Sequence, residues 1–227
     1  MTTTKTKTKI EAEQEDPCVE ARRRGRPQAR CDEDTRAIIF EAARLEFAAS
    51  GYAATSMDSV ARRAGISTKT LYRLVPNKAA LFEGMITDRI DRFASVVRLK
   101  ACEGGDIEAA LREALVVCGE LVLDNDVITL QRVILGDSEK FPEIAETFYH
   151  KAIRRTERTL ANWLQAQSER GLIRIDDAET TAGMLLGMLV FQPQRAVMFG
   201  HAPTLSRDEL ERRAQAVSEL FLRGCGR

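Results

Sequence analysis

At 227 residues the chain is long enough for one or two domains with a sizeable core, and 44% hydrophobic with 30% charged residues excludes wholesale disorder. Lys plus Arg and Asp plus Glu are equal at 34 each, yet residues 17–78 hold 12 basic against 7 acidic side chains while residues 79–227 hold 19 against 23. A basic head on an acidic body predicts that one part meets an anion and the other does not, and no apolar run approaches the ~18 residues of a membrane-spanning helix.

Residues 1–31 pass from Thr/Lys-rich through acidic to Arg-rich and contain Pro17, Gly25 and Pro27, which predicts a disordered basic arm. The opening MTTTKTKTKIEAEQED lacks the apolar centre of a secretory signal, so a cytoplasmic location is expected. The cysteines at 18, 31, 102, 118 and 225 are odd in number and form no CxxC pair, which fits free thiols in a reducing compartment. Only His150 and His201 are available, neither near a cysteine, so no metal or cofactor site is expected.

From Asp32 the apolar period becomes helical. Asp32, Asp34 and Thr35 suit the start of a helix over about 34–50, with Ile39, Ala42, Ala43 and Phe47 inward and Gly51 at its end. A short helix over about 56–64, capped by Thr55, precedes the turn Gly65-Ile66-Ser67, and a second short helix over about 68–75 stops before Pro76. Asn77 caps a longer helix that carries Leu81, Phe82, Met85, Ile86, Ile90 and Phe93. Beyond Gly104-Gly105 the pattern predicts helices over about 106–123, 126–138, 142–171 (Pro142 in its first turn), 176–198 (kinked by Pro193) and 207–223. With no run of alternating strands and no repeat, the fold class is all-α with about nine helices.

The two short helices form a helix-turn-helix pattern. Val60, Ala61 and Ala64 are the buried side of the first, Gly65 permits the tight turn, and Ile66 and Leu71 fill the angle. The exposed side of the second is Ser67, Thr68, Lys69, Thr70, Tyr72 and Arg73, short polar groups with cations and a phenol that suit a DNA major groove. On spacing alone, a plain helical hairpin with a solvated face fits equally well.

Ile39-x-x-Ala42-Ala43-x-x-x-Phe47-x-x-x-Gly51-Tyr52-x-x-Thr55-Ser56-Met57-x-x-Val60-Ala61-x-x-Ala64-Gly65-Ile66-Ser67-x-x-Thr70-Leu71-Tyr72, followed by Asn77-Lys78-x-x-Leu81-Phe82, resembles the N-terminal domain of the TetR/AcrR family of transcriptional regulators. Arg22-Arg23-Arg24-Gly25-Arg26-Pro27 is similar to the basic lead-in often seen there. Arg73-Leu74-Val75-Pro76 departs from the family's usual aromatic pair, and Glu46 stands where an apolar residue is common. The stretches Ile128-Thr129-Leu130-Gln131-Arg132-Val133-Ile134 and Glu139-x-Phe141-Pro142-x-Ile144-x-x-x-Phe148-Tyr149 resemble the AefR-like branch in its C-terminal domain. The resemblance implies a basic arm over 1–31, a helix-turn-helix domain over 32–78, and a helical effector-binding and dimerisation domain over 79–227.

It also implies roles. Thr55, Tyr72 and Lys78 are expected on phosphates, with Arg73 beside them, while Thr68, Lys69 and Thr70 open the recognition helix nearest the base edges and Ser67 adds to the DNA-binding set. Arg24 and Arg26 are expected on phosphates or in an adjacent minor groove. One short helix reads few bases, so a homodimer on a palindromic operator of double-stranded DNA is expected. Leu185, Leu189, Leu210, Ala214, Val217 and Phe221 are expected at its interface, although a core within one chain would give the same stripes. Phe93, Leu121, Ile134, Phe148, Trp163, Met184, Met188 and Phe191 are the expected lining of a small-molecule effector pocket, and simple core packing fits them too.

The competing classes have less to stand on. No GxSxG, P-loop, GxGxxG or HExxH motif supports an enzyme. A thiol-based redox sensor would need Cys102 or Cys118 accessible and acidic, and a helical interaction protein would use the hairpin without DNA.

Overall fold

The structure is a computed structural model and describes residues 31–101 and 106–225. The helices are α1 (Asp32–Ala54), α2 (Met57–Ala64), α3 (Thr68–Leu74), α4 (Lys78–Ala101), α5 (Ile107–Val122), α6 (Asn125–Asp137), α7 (Pro142–Phe148), α8 (Arg154–Glu169), α9 (Ala178–Met198) and α10 (Arg207–Cys225). A π-helical turn, Tyr149–Ile153, joins α7 to α8, so among the described residues the helices make nine rods and no strand is present. The fold is all-α, as the periodicity predicts. The predicted arm lies outside the described residues except for Cys31, and Asp32–Arg227 forms one compact unit.

Most helix starts follow from short polar side chains accepting the free N–H groups of a first turn. Asn77 accepts from Ala80 N at 2.8 Å, Asp106 from Glu108 N at 3.0 Å, Asp124 from Asp126 N at 2.9 Å, and Asp177 from Glu179 N at 2.9 Å. Pro142 takes the first position of α7, where its missing N–H costs nothing. One cap differs from expectation. Ser56, not Thr55, starts α2: its hydroxyl accepts from Ser59 N at 3.0 Å while Ser59 Oγ accepts from Ser56 N at 3.2 Å.

Gly51 breaks α1 with φ 78° and ψ 170°, a conformation a Cβ would resist. The break frees the amides of Tyr52 and Ala53, and Asp137 at the end of α6 accepts both, at 3.2 and 3.4 Å. The rod expected over 142–171 is interrupted by the π turn, and α9 continues past Pro193 to Met198.

Two cores hold the molecule. Ile39, Phe47, Val60, Leu71, Leu81 and Phe82 form the first and are continuous with Leu130, Ile134, Ile144 and Phe148 of α6 and α7. Its centre is aromatic: Tyr52 stacks on Phe47 at 5.6 Å and meets Phe82 and Phe141 edge-on at 5.6 and 5.3 Å. The second core joins the far end of α4 to α5, α8, α9 and α10 through Leu111, Leu115, Leu160, Leu164, Leu185 and Ala214. The helix-turn-helix is therefore packed directly on the helices that follow it.

Candidate DNA-binding face and effector cavity

The turn between α2 and α3 is set by Gly65 at φ 66° and ψ 33°. Its N–H reaches the Arg62 carbonyl at 3.2 Å and that of Ile66 reaches Ala61 at 3.1 Å, the paired bonds of a Schellman stop. Ser67 then caps α3 by accepting from Thr70 N at 3.1 Å, and its Oγ lies 2.8 Å from Thr70 Oγ1. Leu71 is fully buried and Leu74 and Val75 nearly so, which orients the helix. Leu74 and Val75 thus fill the space below α3 without the family's aromatic pair.

Lys69 and Tyr72 project outward, Tyr72 half exposed, and neither has a polar partner among the described residues. Thr68 lies 3.3 Å from Asp58 of α2. Arg73 is also outside, but its guanidinium makes two bonds to Asp32, at 2.7 and 2.8 Å, which hold the Asp32 carboxyl below its usual range. Glu46, the second departure from the family pattern, accepts from Arg63 Nε and so ties α1 to α2.

Two expected phosphate ligands have other work. Thr55 is buried, and its hydroxyl donates to Gly51 O at 2.7 Å and Glu46 O at 3.2 Å, bracing the broken end of α1. Lys78 turns its ammonium inward to the carbonyls of Tyr52, Ala53 and Thr55 at 2.8, 3.3 and 3.0 Å and lies 4.6 Å above the Tyr52 ring. All three of its protons are spent on the open carbonyl end of α1, where a cation is favoured. Arg24 and Arg26 lie outside the described residues.

The residues expected at a dimer interface lie inside a single chain. Leu185, Leu189, Leu210, Ala214, Val217 and Phe221 are all under 10% exposed in a single chain, because they belong to the second core with α4, α5 and α8. The outward side of α9 instead carries Met184, Met188 and Phe191 at helical spacing, 64%, 36% and 57% exposed, with Leu220 of α10 also outside. Two apolar sides of α9 compete for a sequence reading, and periodicity does not say which one the chain covers itself.

A cavity of about 420 Å3 opens between α6, the π turn, α8 and α9. Of the residues proposed from the sequence for an effector pocket, Leu121, Ile134, Phe148 and Phe191 line it. Phe93 and Trp163 belong to the second core, Trp163 bordering a separate groove, and Met184 and Met188 face outward. Unanticipated members are Gln131, Thr156, Gly183, Gly187 and Gln194, with Gln194 Nε2 donating to Gln131 Oε1 at 3.1 Å. The Gly183-x-x-x-Gly187 spacing within the apolar run 182–191 was the available signal. Cys118 is buried, and burial pushes its thiol up to about 12, the reverse of what redox sensing needs; Cys102 lies outside the described residues.

α6 connects the two regions. Val127, Gln131, Ile134 and Leu135 line the cavity, while Asp126 at its start pairs with Arg44 of α1 and Asp137 at its end holds the amides beyond Gly51. Arg132 on the same helix donates to the terminal carbonyls of α9, Val197 and Met198.

This is an N-terminal helix-turn-helix domain built onto a larger helical body. Residues 39–85 match the family model for bacterial regulatory proteins of the tetR family, and residues 109–226 match that for the AefR-like transcriptional repressor C-terminal domain. The chain belongs to the TetR family of transcriptional regulators. It is 26% identical over 161 residues to the HTH-type transcriptional regulator YhgD of Bacillus subtilis, covering 69% of this chain and 81% of YhgD. A TetR-family regulator from Mesorhizobium loti superposes with a TM-score of 0.73 at 29% identity, covering 87% of this chain and 100% of that one. The flavonoid-responsive regulator FrrA gives a TM-score of 0.62 at 26% identity, covering 86% and 98%. These relatives are regulators of transcription, not enzymes.

Proposed function

We propose that the chain is a cytoplasmic repressor that binds a near-palindromic operator as a homodimer and leaves it when a small molecule fills the cavity below α9. The observation that carries this reading is the double role of α6, which lines the cavity and grips α1 at two points. An effector that displaces α6 moves α1, and with it the separation of two recognition helices, so effector and operator compete through one equilibrium. Thr68, Lys69 and Thr70 meet base edges, Tyr72 meets a phosphate, and Arg24 and Arg26 add phosphate or minor-groove contacts. Met184, Met188, Phe191 and Leu220 carry the dimer contact, an assignment supported by their exposure on adjoining helices. The responsiveness of FrrA to flavonoids supports the effector half of the reading and makes a flavonoid a sensible first ligand.

The test is selection of bound sequences from a random DNA pool at two salt concentrations. The expected product is an inverted repeat with half-sites about 34–36 Å apart or a multiple of that. Lys69→Ala or Thr70→Ala should relax preference at one or two positions by ~1–3 kcal/mol, while Tyr72→Phe weakens all sequences alike. Failure to recover an inverted repeat, even after unfolding and refolding the protein to strip a retained ligand, overturns the proposal.

A further inference from the structure

We infer that the cavity below α9 is built for an uncharged, mainly apolar molecule bearing a hydroxyl or carbonyl group, and that it rejects carboxylates of the same size. The inference rests on the effector-responsive reading above and adds the chemistry of the effector.

The space is made by the backbone. The π turn puts Ala152 and Ile153 on one wall, and single π turns of this kind recur at functional sites. On the opposite wall a Cβ added at Gly183 or Gly187 would meet no atom within 4 Å. Glycine weakens a helix interior relative to alanine, so two glycines one turn apart facing open space are unfavourable for folding alone. At about 420 Å3 the volume lies in the range that holds a drug-sized ligand.

The polar groups define what enters. Thr156 is only 5% exposed and lines the cavity, yet its hydroxyl has no hydrogen-bond partner among the described residues. On the cavity wall that hydroxyl can donate to or accept from a ligand oxygen or nitrogen. The Gln131–Gln194 pair uses one donor and one acceptor between its two amides, which leaves both kinds of group for a guest.

Charge excludes the rest. Among the lining residues there is no lysine, arginine or histidine. The single ionisable group is Glu157, whose carboxylate already accepts from Arg154 at 3.0 Å, and Arg154 reaches Glu179 at 2.9 Å as well. A ligand carboxylate would find no cation among the lining side chains, with Arg195 held over the Phe191 ring at 4.4 Å, and would face Glu157. A ligand ammonium would compete with Arg154 for a carboxylate that is already paired.

Three probes share one apolar body and differ in charge: 4-hydroxybiphenyl, biphenyl-4-carboxylate and 4-(aminomethyl)biphenyl. Each is titrated calorimetrically into the full chain. The phenol is expected to bind at least tenfold more tightly than either ion. Gly187→Leu fills the cavity and should abolish its binding. Thr156→Val, which keeps shape and folding, should weaken the phenol several-fold without lowering the melting temperature. Equal or tighter binding of the carboxylate or the ammonium, lost in Gly187→Leu, overturns the charge assignment and leaves the effector-responsive reading standing. Phenol binding that survives both Gly187→Leu and Thr156→Val overturns the site. Binding of none of the three overturns both the charge assignment and the cavity as an effector site.

Discussion

Arg213 Nε donates to the carbonyl of Leu189 at 2.6 Å, and that carbonyl is free because residue 193 is proline. In an unbroken α-helix the N–H of residue 193 would bond to Leu189, and proline has none. Arg213 reaches across from α10 to supply the missing donor, and its other nitrogens hold Met188 O at 2.9 Å and Gln192 Oε1 at 3.1 Å. The defect in α9 is thus converted into a latch between the last two helices. Arg213→Met should cost ~1–3 kcal/mol, the penalty for an unsatisfied buried acceptor. Pro193→Ala restores the helix donor, so the same Arg213 change should cost less in its presence. Urea unfolding of the four chains at one protein concentration measures the coupling, and strictly additive effects would refute the latch.

The interior commitment of Lys78 separates two accounts of one residue. A phosphate ligand contributes to the salt dependence of DNA binding, and its loss lowers the slope by about one unit. A strut contributes to folding. Lys78→Met keeps most of the stem and leaves carbonyls of Tyr52, Ala53 and Thr55 without a donor. The expected outcome is a stability loss of ~1–3 kcal/mol with an unchanged salt slope. A normal melting curve with a reduced slope would return Lys78 to the DNA.

Local rules made much of this legible. Gly65, Asn77 and Pro142 mark helix boundaries because each changes backbone or capping energetics within a few residues, and the boundaries fall where they predict. The exposed side of α3 was legible for the same reason: Leu71 goes inward and Lys69 outward by the period of one helix. What could not be read depends on contacts distant in sequence. Thr55 and Ser56 are adjacent hydroxyls, and only the bend at Gly51, fixed through the Tyr52 amide by Asp137 from 85 positions beyond it, decides which one caps α2. Met184 and Leu185 are both apolar positions of α9, and only the arrival of α5, α8 and α10 determines which is core. Lys78 looks like a free cation until the carbonyl end of α1 is placed beside it.

Asp32 sits on Arg73 much as a phosphate would, with two oxygens on two guanidinium nitrogens. Both side chains are more than half exposed, so the pair adds little to stability. Its effect falls on DNA binding, because a guanidinium engaged by a carboxylate must exchange partners before it meets a phosphate. Asp32→Asn should therefore raise operator affinity and steepen the salt slope by up to about one unit, with melting unchanged. Arg73→Ala should remove the response to Asp32→Asn. An Asp32→Asn protein that binds no more tightly at low salt would show that Arg73 does not face the phosphates.

The Glu46–Arg63 pair gives the helix-turn-helix an acid limit. Hydrogen bonding from Arg63 holds the Glu46 carboxyl below its usual 4.5, so the folded state favours the ionised form more than the unfolded state does. A depressed carboxylate contributes stability that is fully present above the unfolded value and is lost as pH falls through the folded one. Between pH 7 and pH 5 the pair's contribution should be flat, and below about pH 4.5 it should decline. Glu46→Gln keeps the shape and removes the titration. Urea unfolding of both proteins from pH 7 to pH 3 should show a stability difference that is largest at neutral pH and shrinks with acid. A constant difference across that range would mean that Glu46 acts through its shape and not through its charge.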